Sequence, residues 1–261
     1  MKWGRRAEPL SELVVSEEEG VRYLHQGGEY IQSAMRIDAP DDLVLDYTRT
    51  MMAFLLFHPR PRECLMVGLG GGSIPKFIYR HFPSVRTRVV ELDPAVITAA
   101  RAMFHVPGDC PRLRIEQGDG AKVVRAMEAG CDVLFADGFD DGAQVPELVS
   151  EEFYAAAYRA LRAKGVLVVN FFGHDRRMDR YLKRIEAAFS GCVVCLEARE
   201  DGNIIVFALK GAPASIEWDE LRRCAARLEQ KLGLPLERCV AGLRKMNRWT
   251  RPALLLAPEA V

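Results

Sequence analysis

The stretch CLMVGLGGGSIPKFIYRHFPSVRTRVVELDP, residues 64–94, decides the fold. It opens on the apolar run CLMVGL, breaks at Gly68, Gly70, Gly71 and Gly72, continues through IPKFIYRHF with apolar residues at helical spacing, and closes on a second run, TRVVEL. Strands that are apolar on both faces and joined by a helix predict a parallel sheet with helices on both sides. The same alternation extends outward. RLRIEQ, CDVLFAD, GVLVVNFF and CVVCLEA are further strand-like runs, separated by PAVITAARAMF, GAKVVRAMEA, SEEFYAAAYRALRA and DRRMDRYLKRIEAAF. GNIIVFALK follows CVVCLEA across the turn residues REDGN, which predicts an antiparallel hairpin at the end of the sheet.

Upstream, LSELVV, VRYLHQ and EYIQSAMRI are short apolar stretches, and Gly27-Gly28 between two of them is a hairpin signal, so a small antiparallel sheet is expected. DDLVLDYTRTMMAFLLFHP then carries apolar residues at helical spacing as far as Pro59, with Asp41 and Asp42 as caps and first-turn acids. Downstream, WDELRRCAARLEQKLG and LERCVAGLRKMNRW read as two amphipathic helices broken at Gly233 and Pro235, a packed appendage without chemistry. The expected organisation is a small β-domain and connecting segment over 1–50, an α/β domain over 51–212 and a helical appendage over 213–261.

Across the 261 residues, Lys plus Arg and Asp plus Glu are 36 each, so net charge offers no reason to expect nucleic acid or an acidic membrane as partner. No run approaches the roughly 18 apolar residues of a membrane span. The start, MKWGRRAEPLSELVVSEEEG, lacks the apolar core of a secretion signal, and a cytoplasmic protein is expected. Seven cysteines are too few and too scattered for a disulfide framework. Cys192 and Cys195 fall on a strand, where an offset of three points their sulfurs to opposite faces; with five dispersed histidines, no metal site is expected.

In an open parallel sheet, ligands sit beyond the carboxyl ends of the strands, where strand order reverses. Four consecutive strand ends carry suggestive residues. The first is Gly68-Leu69-Gly70-Gly71-Gly72-Ser73, whose glycines let the backbone turn sharply and approach a ligand; a ligand-free tight turn is the plainer alternative. The second is Glu91-Leu92-Asp93-Pro94. Glu91, roughly 20 residues beyond the glycines, can accept both hydroxyls of a ribose, while Asp93 before Pro94 reads as a helix cap. The third is Gly118-Asp119-Gly120-Ala121, where Asp119 is either an acceptor for the amine of adenine or an N-cap. The fourth is the cluster Asp137, Asp140 and Asp141. Crowded carboxylates raise one another's pKa unless a cation lies between them, which suits a cationic substrate or proton transfer from an amine; a solvated loop is the alternative. Together the series points to an adenosyl-containing co-substrate on a Rossmann-like sheet.

These residues resemble the polyamine aminopropyltransferases, spermidine synthase and its relatives, which share their sheet with S-adenosylmethionine-dependent methyltransferases. The resemblance covers roughly residues 20–210 and is most specific in VELDPAVI at 90–97, GDGA at 118–121, and ADGFDD with SEEFYAAAYRALRAKGVLVVN. It implies a methyltransferase sheet with a small N-terminal β-domain, to which the residues themselves add an antiparallel last strand and C-terminal helices. It also implies that Glu91 binds the ribose diol and Asp119 lies near adenine, beside Gly68, Gly70, Gly71 and Gly120. Asp137 matches the general base and Asp140 the acid that holds the amine, while Gln32 and Tyr47 match residues lining the donor and acceptor pocket. No prosthetic group is implied. The partners are decarboxylated S-adenosylmethionine (or S-adenosylmethionine) as co-substrate, a small amine, and a second copy of the chain in a homodimer.

Three departures stand out. The acid usual among the family's glycines is replaced by Gly71, and its Tyr-His-Glu appears as Tyr47-Thr48-Arg49. Its proline- and tyrosine-rich acceptor loop is missing, with Phe171-Phe172-Gly173-His174 and Arg199-Glu200-Asp201 nearby instead. Aminopropyl transfer to an amine such as putrescine is therefore weighed against a methyltransferase and against a catalytically silent nucleoside-binding relative.

Overall fold

The computed structural model describes residues 13–26, 31–140 and 143–256. β1 (Leu13–Glu18), β2 (Val21–Gln26) and β3 (Ile31–Arg36) form the expected small antiparallel sheet, with Val15 opposite Leu24 and Tyr23 opposite Ala34. The Gly27-Gly28 turn lies outside the described residues. One face of this sheet is apolar, and it presses Leu24 and Met35 onto Ala99 and Phe104. The Arg22 guanidinium adds a hydrogen bond to the Met103 carbonyl.

The segment that follows corrects the expected long helix. α1 covers Asp46–Met51 and tightens into a 3-10 turn over Met52–Leu56. Asp41 and Asp42 do not cap it: its N-cap is Leu45, without a side-chain bond. The Asp42 N–H instead closes a turn onto the Ala39 carbonyl at 3.1 Å, and Leu43 reaches the core from non-helical chain. Apolar residues at helical spacing entered the core by two geometries, and only the second half is helix.

The α/β unit runs β4 (Glu63–Val67), α2 (Ser73–His81), β5 (Arg86–Glu91), α3 (Pro94–Met103), β6 (Leu113–Gln117), α4 (Gly120–Arg125) and β7 (Cys131–Ala136). A two-residue ladder follows, β8 (Phe139–Asp140) with β9 (Ala143–Gln144), then α5 (Glu151–Ala160), β10 (Leu161–Phe172), α6 (Met178–Ala188), β11 (Val193–Ala198) and β12 (Asn203–Leu209). The strands lie in the order β11-β12-β10-β7-β4-β5-β6. The five from β10 to β6 are parallel, and β12 is antiparallel to both β10 and β11, as the hairpin predicted. From β4 the chain moves outward through β5 and β6, then returns to β7 on the other side. Strand order therefore reverses between β4 and β7. The LRA expected as the last turn of α5 belongs to β10, whose register shifts between Leu161 and Val166.

Successive strand residues feed two cores. Met66, Val89, Phe135, Val168 and Phe207 pack with α1 and α2, whereas Val67, Val90, Leu134, Val169 and Val206 pack with α4, α5 and α6. Cys192 precedes β11 rather than lying on it; it packs against the first core while Cys195 is buried in the second, so the two cysteines still face opposite sides of the sheet. The two C-terminal helices, α7 (Trp218–Leu232) and α8 (Leu236–Gly242), bury Trp218, Leu221, Leu228, Leu236 and Val240 in the first core. Among the described residues no helix is long and apolar enough to cross a membrane.

Candidate active site

A cavity of about 650 Å³ opens at the carboxyl ends of the strands beside the switch point. Its floor is Gly68, Leu69 and Gly70 after β4, Glu91 and Leu92 after β5, Asp119, Gly120 and Ala121 at the start of α4, and Asp137 after β7. Gln32 and Ser33 of β3 and Tyr47 of α1 form one wall. Asn170 and Phe172 of β10 and Asp201 and Asn203 of the β11–β12 hairpin form another. The expected residues Gln32, Tyr47, Gly68, Gly70, Glu91, Asp119, Gly120 and Asp137 thus share one cavity. Asp140 belongs to β8, but its side chain, like all of Asp141, lies outside the described residues.

Backbone pairing carries each acid to its place. The Gly68 N–H bonds to the Val90 carbonyl and the Asp137 N–H to the Val67 carbonyl, both at 3.0 Å, so the ladder reaches one residue beyond β4 and β7. Gly68 adopts φ 93°, and a Cβ there would stand 2.2 Å from the Asp137 carbonyl oxygen. Only glycine permits that approach. The Glu91 carboxylate accepts the N–H of Leu69 at 2.8 Å and of Asp93 at 2.9 Å, tying the glycine loop to the end of β5. Burial raises its pKa, and these two N–H bonds oppose the rise. Asp93 caps α3 by accepting the Ala95 N–H at 2.8 Å. Asp119 does the same for α4 through the Lys122 N–H at 3.1 Å, so it is an N-cap, and it also lines the cavity.

Gly71 is displaced from its expected place. It does not line the cavity but turns toward β3, where a Cβ would meet Phe104 Cδ1 at 2.8 Å and Ser33 Cβ at 3.0 Å. The absent acid leaves no gap beside the ligand space, because the small sheet and Phe104 occupy the room a side chain would need.

Asp137 opens on the cavity beside Asn170 and Tyr47. Burial pushes its carboxyl up to about 6, and the Asn170 amide, donating to Oδ1 at 2.9 Å, holds it from rising further. Tyr47 is buried and donates its hydroxyl to the Gln32 carbonyl at 3.1 Å. Desolvation, then the charges of Asp137 and Asp201, lifts its phenol well above the ordinary range, so it stays a neutral donor. Asp201 accepts the Tyr47 N–H at 2.6 Å. Its own carboxyl is raised by desolvation, which that N–H opposes. Arg49 meets Glu200 at 2.7 Å, so the altered segments 47–49 and 199–201 are partners of each other.

Sequence reasoning did not assign Ser33, Leu92, Asn170, Asp201 or Asn203 to the site. Two signals could have found some of them. Asn170 is the lone polar residue of GVLVVNFF, and Leu92 is an apolar residue set between two acids at a strand end. Asn203 and Asp201 arrive only through the return of the hairpin.

Residues 45–197 match the family model described as the spermine/spermidine synthase domain. A polyamine aminopropyltransferase of Chromobacterium violaceum is 39% identical over 249 residues, 95% of each chain. Among solved structures, a probable spermidine synthase from Corynebacterium glutamicum has a TM-score of 0.70 at 20% identity, covering 89% of this chain and 91% of that one. Human methyltransferase-like protein 13 in complex with SAH has a TM-score of 0.64 at 24% identity, covering 80% and 96% respectively. These two likenesses are of fold. Sheet, cavity and relatives together define a transferase on the methyltransferase-type α/β fold. Within that class, the chain belongs to the spermine/spermidine synthase family.

Proposed function

We propose that this protein transfers a 3-aminopropyl group from decarboxylated S-adenosylmethionine to a primary amine of a di- or polyamine such as putrescine. One observation carries this choice of substrates. Glu91, Asp93, Asp119, Asp137, Glu147 and Asp201 line the cavity, and no Lys, Arg or His is among its described lining residues. Such a field attracts cations and opposes anions. Both proposed substrates are cations without a carboxylate, whereas S-adenosylmethionine brings a carboxylate with it.

The sulfonium already activates the carbon to be attacked, so the protein's contribution is placement and proton removal. Loss of one proton from the ammonium frees a lone pair, which forms the new C–N bond as the C–S bond breaks, and the bonding pair returns to sulfur to leave 5′-methylthioadenosine. The proton shed by the amine passes to Asp137, which with a pKa near 6 is mostly ionised at neutral pH. Glu91 holds the ribose, Asp119 and Leu92 flank the base, and Asp201 joins Asp140 in holding the distal ammonium of the acceptor.

The donor is tested by calorimetric titration with both nucleotides, and turnover by 5′-methylthioadenosine release with a panel of diamines. Preference for the decarboxylated donor is expected. Tighter binding of S-adenosylmethionine overturns the proposal in favour of a methyltransferase. Asp137→Asn is expected to abolish turnover while sparing nucleoside binding, and full activity in that variant removes Asp137 from its role. Pairing of two chains through the N-terminal sheet, where Val14 of β1 and Ile37 just past β3 are exposed, is part of the same proposal.

A further inference from the structure

Three polar side chains stand in a row across β7, β10 and β12 at the carboxyl end of the parallel strands. Asn203 donates its amide to Asn170 Oδ1 at 2.7 Å, and Asn170 donates its own to Asp137 Oδ1 at 2.9 Å. Asn170 is 2% exposed and Asn203 5%. Register produces the row. Val169 of β10 lies beside Ala136 of β7, which sets Asn170 against Asp137, and Phe172 of β10 faces Asn203 of β12, which sets Asn203 diagonally across from Asn170.

A buried amide has two orientations of nearly equal shape and opposite chemistry, and its neighbours decide between them. An ionised carboxylate only accepts, so it needs the NH2 end of Asn170. The reverse orientation would set oxygen against oxygen in a poorly solvated place. Asn203 supplies the selection from the far side, because its NH2 is matched only by the oxygen end of Asn170. We infer that Asn203 is a positioning residue: through Asn170 it keeps a hydrogen-bond donor aimed at the carboxylate that receives the substrate proton.

The inference rests on the proposed role of Asp137 for its catalytic meaning, though not for its geometry. Other titratable groups around the cavity are Tyr47 of α1, Glu91 at the end of β5, Asp93 before α3, Asp119 before α4, Glu147 before α5 and Asp201 in the hairpin. None replaces Asn170 as the donor to Oδ1.

The test is a carbon-13 titration of the side-chain carboxyls, with the Asp137 signal assigned by its loss in Asp137→Asn. It is run on the full chain and on two variants of nearly the same shape, Asn203→Leu and Asn203→Asp. Asn203→Leu removes the donor that Asn170 Oδ1 accepts, and the Asp137 midpoint is expected to rise by roughly one pH unit. Asn203→Asp competes for the Asn170 NH2 and adds a second carboxylate, so a larger rise is expected. If Asn203→Asp does not fold, Asn203→Leu decides. A midpoint unchanged in a folded variant overturns the relay, whatever happens to turnover. The acid limb of kcat/KM is expected to follow the midpoint. A moved midpoint with an unmoved limb upholds the relay and removes Asp137 as the proton acceptor, so the two failures are distinguishable. A loss of melting temperature with no change in midpoint marks Asn203 as filler and also overturns the inference.

Discussion

Asp137 shows how one side chain is fitted for a task at the expense of stability. Its carboxyl titrates at about 6 in the folded protein against an ordinary 3.8, because burial penalises the charge more than the Asn170 bond favours it. A raised carboxyl pKa contributes stability that is present below the unfolded value and is lost as pH rises through the folded one. At 1.36 kcal/mol per unit the loss is at most about 3 kcal/mol above pH 7, reduced by whatever water the cavity admits. Asp137→Asn is therefore expected to gain stability over the parent as pH rises from about 4 to about 6, with no further gain beyond about pH 7. Parallel thermal melts of the two proteins across that range measure it. A difference that stays constant with pH counts against the raised pKa. For the parent, turnover is expected to fall as pH drops below about 6, as Asp137 becomes protonated.

Among the elements, the glycine loop is the one whose role changed between sequence and structure. Gly71 marked the place of a missing acid, yet it packs on β3, where Ser73 Oγ also reaches the Ala34 carbonyl at 3.4 Å. Gly71→Asp is expected to cost about 1–3 kcal/mol by forcing Phe104 and Ser33 apart, without tightening the decarboxylated donor. Melting and titration of that variant check both halves, and a gain in affinity at unchanged stability refutes the packing account. Strand existence was legible because a strand buried on both faces reads as a nearly continuous apolar run, as in CLMVGL and, apart from Asn170, GVLVVNFF. Helix limits were less so. The chain from Asp41 to Leu45 carries the spacing of a helix and takes another path, because a turn and a buried Leu43 satisfy the same residues.

At the scale of the whole molecule, the C-terminal helices complete the principal core. Trp218, Leu221, Ala225 and Leu236 share one apolar cluster with Val168, Leu196 and Phe207 of the sheet. A chain ending at residue 212 is expected to lose cooperative unfolding and to bind a hydrophobic dye, as a protein with secondary structure but open packing does. A sharp thermal transition in that truncated chain would show that the sheet stands without its helices. Light scattering of the full chain is expected to give the mass of two copies. A monomer that exposes Val14 and Ile37 refutes pairing through the N-terminal sheet. The site itself spans the molecule, taking Gln32 from the small sheet, Tyr47 from the connection, Asp137 from the centre and Asp201 from the last hairpin.

The order of apolar runs and helical stretches, and the acids at successive strand ends, were properties of the sequence alone. Burial and local hydrogen bonding act within a few residues and leave a periodic trace there. The side to which Gly71 faces, the meeting of Arg49 with Glu200 and the Asn203–Asn170–Asp137 row were decided only by the tertiary structure. Each depends on strands far apart in the chain becoming neighbours in a particular register, and no local pattern records which distant residue will stand alongside.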